Sequence, residues 1–391
     1  MSTSDHETLV EWIRANRVPI PDDWSPTPGL QTAVTRILTG RRILFVGEAD
    51  HFIHEKADYR ALFASLAYPS GFGTFVEEFG RHDGTLVNRY LQTGDEDDLE
   101  RVTIYGYRGH QREDRDDLPT GILKGSAEQY PTREFSSEHR RLLSKLKALP
   151  GPVAFHGFDV DASPGGAYAE FIKLNPELAR IPGESPSEEI DRLHLFTEAN
   201  PDDGLSSEVA ALADALQYIR MVKPAATYEA LNPAMAFREG VMYGHAEEAI
   251  ASAGSHATLW AHNIHLARDD EKLTSHYGAV GPGGDSLFSV GHYLHQQSPG
   301  DIASIWMVTG GGEDLQPLPG LPNKLVYPDD SWNGIFREVG GNFFLPLTDE
   351  FPAQATRLPF FHLYNTSVEC ALGEQCDAVC YIDEVTPLRV A

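Results

Sequence analysis

The sequence predicts an α/β protein, a three-layer α/β/α fold with a largely parallel sheet and a large helical subdomain. Three observations lead there. Short apolar runs recur along the chain, and they are continuous rather than alternating, as strands covered on both faces are. Segments of helical period separate them, and strand–helix–strand order builds parallel sheets. Several of the runs end in acids or histidines, and an open parallel sheet places its ligands beyond the carboxyl ends of its strands.

The first run, Arg42-Ile43-Leu44-Phe45-Val46-Gly47, leads into Glu48. Thr74-Phe75-Val76 leads into Glu77-Glu78, and Pro152-Val153-Ala154-Phe155-His156-Gly157-Phe158 into Asp159. Ala257-Thr258-Leu259-Trp260-Ala261 leads into His262-Asn263, and further strands are expected over 304–308, 343–347 and 378–382. Helices are expected over 55–66, 136–149, 187–198, 206–222 and 236–253. In 136–149, Leu142, Leu143, Leu146 and Leu149 share one side and Arg and Lys the other. The whole chain, 1–391, reads as a single unit. Its α/β core covers about 35–80, 150–162 and 255–391, and helical insertions cover about 82–150 and 165–253. The polar, Gly-rich stretch 103–132 holds the charged run Arg112-Glu113-Asp114-Arg115-Asp116-Asp117, read as a solvated face.

Hydrophobic residues make up 41% and charged residues 23% of the chain, which suits a folded globular protein. The net charge of −27 repels phosphate backbones, so nucleic acid is excluded as an expected partner. It reads first as a solvated acidic surface and second as an attraction for cationic small molecules. The start, Met1-Ser2-Thr3-Ser4-Asp5-His6-Glu7, lacks the apolar core of a signal peptide, and no run is long enough to cross a membrane. A cytoplasmic location without membrane association is the expectation. Cys370, Cys376 and Cys380 match no common zinc spacing and are read as thiols in or beside a last strand, with a Cys370–Cys376 disulfide as the alternative.

Absent motifs narrow the chemistry. The chain has no Gly-x-Ser-x-Gly elbow, no phosphate-binding Gly-x4-Gly-Lys and no His-Glu-x-x-His. The Gly-rich segment 278–284 contains Pro282 and reads as a loop. What remains is the convergence of Glu48, His51, Glu78, Asp159, His262 and His265 at strand ends. Ester hydrolysis needs a base near neutral pH, a carboxylate to fix its tautomer and a donor for the oxyanion. His51 is the candidate base, oriented by Glu48 or by Glu78, with Arg60 as a cationic donor. Glu55 either bonds His51 or caps its helix. The same histidines and carboxylates also suit a divalent metal, and spacing alone does not separate the two readings. The metal-free version, with no cofactor, is the expectation.

Gly47-Glu48-x-x-His51 with Glu55 and Arg60 resembles the Gly-Glu-x-x-His block of the erythromycin esterase family. Further blocks follow in family order. Thr74-Phe75-Val76-Glu77-Glu78-Phe79-Gly80 is similar to its next strand, Phe155-His156-Gly157-Phe158-Asp159 to its Gly-x-Asp block, and Arg238 with Met242 to an Arg/Met helix. Trp260-Ala261-His262-Asn263-Ile264-His265 resembles its Ala-His-Asn-x-His block, Gly291-His292-Tyr293-Leu294 the Gly-x-x-Leu segment, and Asp377-Ala378-Val379 the closing strand. The resemblance implies a hydrolase that opens the lactone of a macrolide such as erythromycin. It implies Glu48, His51, Arg60, Glu78, His262 and His265 as catalytic residues. Glu55, Asp159, Arg238 and Met242 are the expected substrate contacts. The sequence departs from the family at Phe52, where Gly is common, and over 103–132. The alternatives are a non-hydrolytic ligand- or haem-binding protein on the same fold, and an esterase or transferase of natural-product or polysaccharide biosynthesis.

Overall fold

The computed structural model describes residues 3–102, 132–160, 167–201, 205–222, 228–254, 256–275, 288–315, 323–363 and 366–390. Eight strands form the main sheet: β1 (Val18–Pro19), β2 (Ile43–Glu48), β3 (Thr74–Gly80), β4 (Ala154–Asp159), β5 (Ala257–His262), β6 (Ile302–Thr309), β7 (Phe343–Pro346) and β8 (Ala378–Ile382). Their spatial order is β1-β7-β8-β6-β2-β5-β3-β4. The six strands from β8 to β4 are mutually parallel, while β7 runs antiparallel to both its neighbours. The expected α/β class and largely parallel sheet are therefore what the chain adopts. The unexpected part is the order. β5 inserts between β2 and β3, so the chain reverses its direction of travel across the sheet after β4, and the carboxyl edge at such a reversal is where open α/β sheets bind ligands.

Helices cover both faces. The described residues include α1 (Thr3–Asn16), α2 (Pro28–Leu38), α3 (Glu55–Ala67), α4 (Arg81–Thr93), α5 (Thr132–Lys147), α6 (Pro186–Ala199), α7 (Ser206–Val222), α8 (Tyr228–Ala253), α9 (Val290–Gln297) and α10 (Trp332–Val339). Leu44, Val46, Phe75, Trp260 and Ile305 pack with α2, α3 and α5 on one face. Ile43, Phe45, Val76 and Leu259 pack with α8 and α9 on the other. A second cluster on that side joins α1 and α10 to Trp306, Phe343 and Tyr381. This two-sided cover explains why every residue of β2, β3 and β5 is buried, and why their sequences do not alternate. α3 is buried around most of its surface, Lys56 and Arg60 included, because it lies between the sheet and α5.

Boundaries mostly fall within a few residues of expectation. α6 starts one residue early, because Ser185 and Glu188 form a reciprocal capping box with Pro186 in the first turn. α8 begins eight residues before the expected 236 and carries Pro233 within it. α6 and α7 share a small separate core of Ile190, Leu193, Val209 and Leu212. The three cysteine thiols are buried and unpaired, so the Cys370–Cys376 disulfide is not formed. The stretch 103–131 and the loop 278–284 lie outside the described residues. Among the described residues no helix is long and apolar enough to cross a membrane.

Candidate active site

Four neighbouring strands deliver charged side chains to one edge of the sheet. Glu48 and His262 are cross-strand partners at the ends of β2 and β5. Glu77 and Glu78 arrive on β3 and Asp159 on β4. Successive strand residues point to opposite faces, so Glu77 and Glu78 enter two different clusters. The register between β3 and β4 shifts between Glu77 and Gly80, beside the site.

The first cluster is built on Glu48. Its Oε1 accepts from His51 Nδ1, and Arg60 Nη2 lies 2.8 Å from its Oε2. Lys56 Nζ is 3.6 Å from Glu48 Oε1. Arg60 also bonds Glu77, whose other oxygen lies 3.1 Å from His139 Nε2 on α5. Burial pushes the Glu48 carboxyl up, but Arg60, Lys56 and His51 together hold it below its ordinary value. Glu77, against the same burial, is held down to about 2 by Arg60 and His139. An ionised Glu48 only accepts, so His51 Nδ1 is the donor, an arrangement in which a neutral imidazole presents its lone pair at Nε2. The His51 side chain is 24% exposed while Glu48 is 1% exposed, so the imidazole is the accessible end of a buried relay.

The second cluster is built on Arg238 from α8. Its Nε and Nη2 grip Asp159 at 2.7 and 2.6 Å, and Nη2 reaches Glu78 Oε1 at 2.8 Å. Glu78 Oε2 accepts from the His262 backbone N–H at 2.9 Å, and His265 Nε2 lies 3.2 Å from Oε1. His265 Nδ1 is in ion-pair contact with Glu239 Oε1. Burial opposes its charge, but Glu239 and Glu78 raise His265 to about 10, so it is cationic at neutral pH. His262 is pushed well below the usual imidazole range by burial and by the neighbouring imidazoles His362, His51 and His265. It is therefore neutral, and its Nε2 lies 3.3 Å from the Ala49 carbonyl, which only accepts.

Backbone packing holds the loop that carries His51. Gly47 lies against Asn263, whose Oδ1 would be 2.4 Å from a Cβ placed there. Asp50 is buried, accepts from the Phe52 N–H at 2.7 Å, and is pushed well above the usual carboxyl range by burial and by Asp314. The C-terminal segment pins the other end, where His54 N–H donates to Thr386 O at 2.8 Å.

The structure brings Glu48, His51, Arg60, Glu78, His262, His265, Asp159 and Arg238 to this edge. The orienting partner of His51 is Glu48, while Glu78 serves His262, His265 and Arg238. Two expected substrate contacts have their side chains engaged elsewhere. Glu55 is turned to Thr386, accepting from its N–H at 2.9 Å and its hydroxyl at 2.7 Å, because the C-terminal segment passes beside the start of α3. Met242 is 0% exposed, within the core between α8 and the sheet. Arg60 is likewise not an accessible donor, since it is locked beneath Glu48 and Glu77. Glu77, His139, Lys56, Glu239 and His362 were not singled out in the sequence. The doublet Glu77-Glu78 was the available signal for the first of them. A divalent metal does not fit this donor set. Arg60 and Arg238 neutralise the carboxylates, His265 is protonated, and among the described residues no group of three or more His, Cys, Asp or Glu is arranged to hold an ion.

A sequence model of the erythromycin esterase family matches residues 183–385. Erythromycin esterase type II of Escherichia coli is 24% identical over 212 residues, 52% of this chain and 43% of that protein. This chain thus spans less than half the length of that curated relative. A solved succinoglycan biosynthesis protein aligns over 100% of both chains with a TM-score of 0.71 at 17% identity. A mutant of erythromycin esterase EreC in its open conformation aligns over 96% of this chain and 98% of its own, with a TM-score of 0.65 at 18% identity.

Proposed function

Since the chain belongs to the erythromycin esterase family, we propose that it is a carboxylic ester hydrolase that opens a macrolide-type lactone by general-base activation of water. The observation that carries the reading is the relay from Arg60 through Glu48 to His51. In this mechanism His51 Nε2 removes a proton from water as the water oxygen attacks the ester carbonyl carbon. Glu48 stabilises the imidazolium that forms, and Arg60 keeps Glu48 ionised. The acyl C–O bond then breaks, and His51 returns its proton to the leaving alkoxide. Asp159 and Arg238, beside His265, bound the opposite side of the crevice and are the candidate substrate contacts. The acidic balance of the chain favours a substrate with a cationic amino sugar.

The test is incubation with erythromycin and a panel of lactones, read by mass spectrometry for the gain of one water. Hydrolysis of none of them would sink the lactone reading. The panel includes an acylated oligosaccharide, because one structural neighbour is a succinoglycan biosynthesis protein. Cleavage of that ester alone would move the substrate class and leave the His51 chemistry in place.

A further inference from the structure

Ester hydrolysis needs a hydrogen-bond donor aimed at the developing oxyanion, and the cations at this site are already committed. Arg60 is divided between Glu48 and Glu77, and Arg238 between Asp159 and Glu78. His265 uses one nitrogen on Glu78 and the other on Glu239. The His262 N–H is aimed at the Ala49 carbonyl. His51 donates to Glu48 and must keep its other nitrogen bare to act as a base.

Among the described residues at this edge, one imidazole remains. His362 ends the strand Leu358–His362 of a small antiparallel hairpin, paired with Thr366–Cys370. Its ring centroid is 4.9 Å from that of His262, which is in turn 5.5 Å from that of His51. His51 and His362 thus both flank the His262 ring, and each residue is half-buried. The nearest side-chain partner of His362 is Thr366 Oγ1, 3.4 Å from both ring nitrogens, and that hydroxyl donates to Leu363 O at 2.7 Å. These contacts are long, so the ring N–H of His362 is only weakly engaged there. Burial and the facing His51 push His362 down to about 3, so it is a neutral imidazole with one N–H. Its backbone is clamped. Buried Asn333 accepts from Phe361 N–H at 2.8 Å, and its amide donates to Phe361 O at 3.1 Å and to Thr309 O, at the end of β6, at 2.9 Å.

We propose that His362 is a further catalytic residue, which donates its ring N–H to the carbonyl oxygen of the ester as it becomes an oxyanion. The inference rests on the ester-hydrolase reading above and deepens it. No proton is transferred by His362. The proton from water travels through His51 to the leaving alkoxide, and His362 stabilises the negative oxygen until the C–O bond breaks. A neutral imidazole suits this task, because it donates without giving up its proton.

The experiment compares the wild type with His362→Leu and His362→Gln on p-nitrophenyl butyrate and on its thiono analogue, whose C=S accepts hydrogen bonds poorly. Thermal unfolding verifies that each variant is folded. His362→Leu is expected to lower kcat on the oxygen ester by about 10²–10³-fold, with KM little changed. The thiono ester should lose far less, and His362→Gln, which keeps an N–H, should recover part of the oxygen-ester rate. Equal loss on both esters, or a folded His362→Leu with wild-type kcat, overturns the role of His362 while leaving the hydrolase reading intact. A wild type that cleaves no ester overturns both.

Discussion

Replacing Arg60 with Met tests whether the buried ion network does what its geometry implies. Arg60 is 2% exposed and sits between Glu48 and Glu77, each 1% exposed. Met fills similar space but removes the cation, leaving two buried carboxylates with only Lys56, His51 and His139 nearby. Burial pushes Glu77 up, yet Arg60 and His139 hold it at about 2 against an ordinary 4.5. At about 1.4 kcal/mol per pH unit, this corresponds to roughly 3 kcal/mol of stability. That agrees with the ~3–5 kcal/mol lost when one partner of a buried pair is removed. The sign follows from the lowered value. The contribution is present above about pH 4.5 and is lost as the pH falls toward 2. Arg60→Met should therefore cost about 3 kcal/mol in urea unfolding at pH 7, and distinctly less near pH 4. Turnover should fall by about 10²-fold or more, because Glu48 no longer stays ionised behind His51. Adding Glu77→Gln should restore part of the stability, since one uncompensated charge is gone. An unfolding free energy unchanged at pH 7, or a loss that does not shrink in acid, would refute the argument.

Other perturbations probe the remaining parts. His265 is raised to about 10, so its contribution to stability is full below about pH 6.5 and lost as the pH rises through 10; urea midpoints over this range should fall for the wild type and stay flatter for His265→Asn. Arg238→Lys cannot reproduce the two-pronged grip on Asp159 and should lower both the melting temperature and kcat/KM, with Lys matching Arg as the refuting outcome. Gly47→Ala places a methyl against Asn263 and should cost about 1–3 kcal/mol, measured by thermal unfolding. Glu55→Gln should lower stability by about 1 kcal/mol through its Thr386 bonds, with a loss of kcat instead marking Glu55 as part of the reaction.

The parallel sheet and one edge of the site were legible in the sequence for a single reason. Strands buried on both faces must be apolar throughout, so a charge at the end of such a run is conspicuous. Glu48, Glu78, Asp159 and His262 were all found this way. Strand order was not legible, because nothing in β5 states that it inserts between β2 and β3. The inner partners were missed because their signals look structural. His139 sits on α5 among the Arg and Lys of a charged face, and only the packing of α5 over α3 brings it to Glu77. Lys56 reads as a solvent-facing helix residue until α3 proves to be buried. His362 lies 100 residues beyond His262 in the chain, and its contact depends on the Asn333 clamp. Glu55 and Met242, expected as substrate contacts, have their side chains on the C-terminal segment and in the core instead.

The most direct test of His51 as the base of an ester hydrolase is hydrolysis of erythromycin in ¹⁸O-labelled water, comparing the wild type with a folded His51→Asn variant. The account predicts one labelled oxygen in the product carboxylate, the alcohol oxygen unlabelled, and a rate lower by about 10²–10⁴-fold in the variant. Label in the alcohol, or an undiminished rate in His51→Asn, would contradict it.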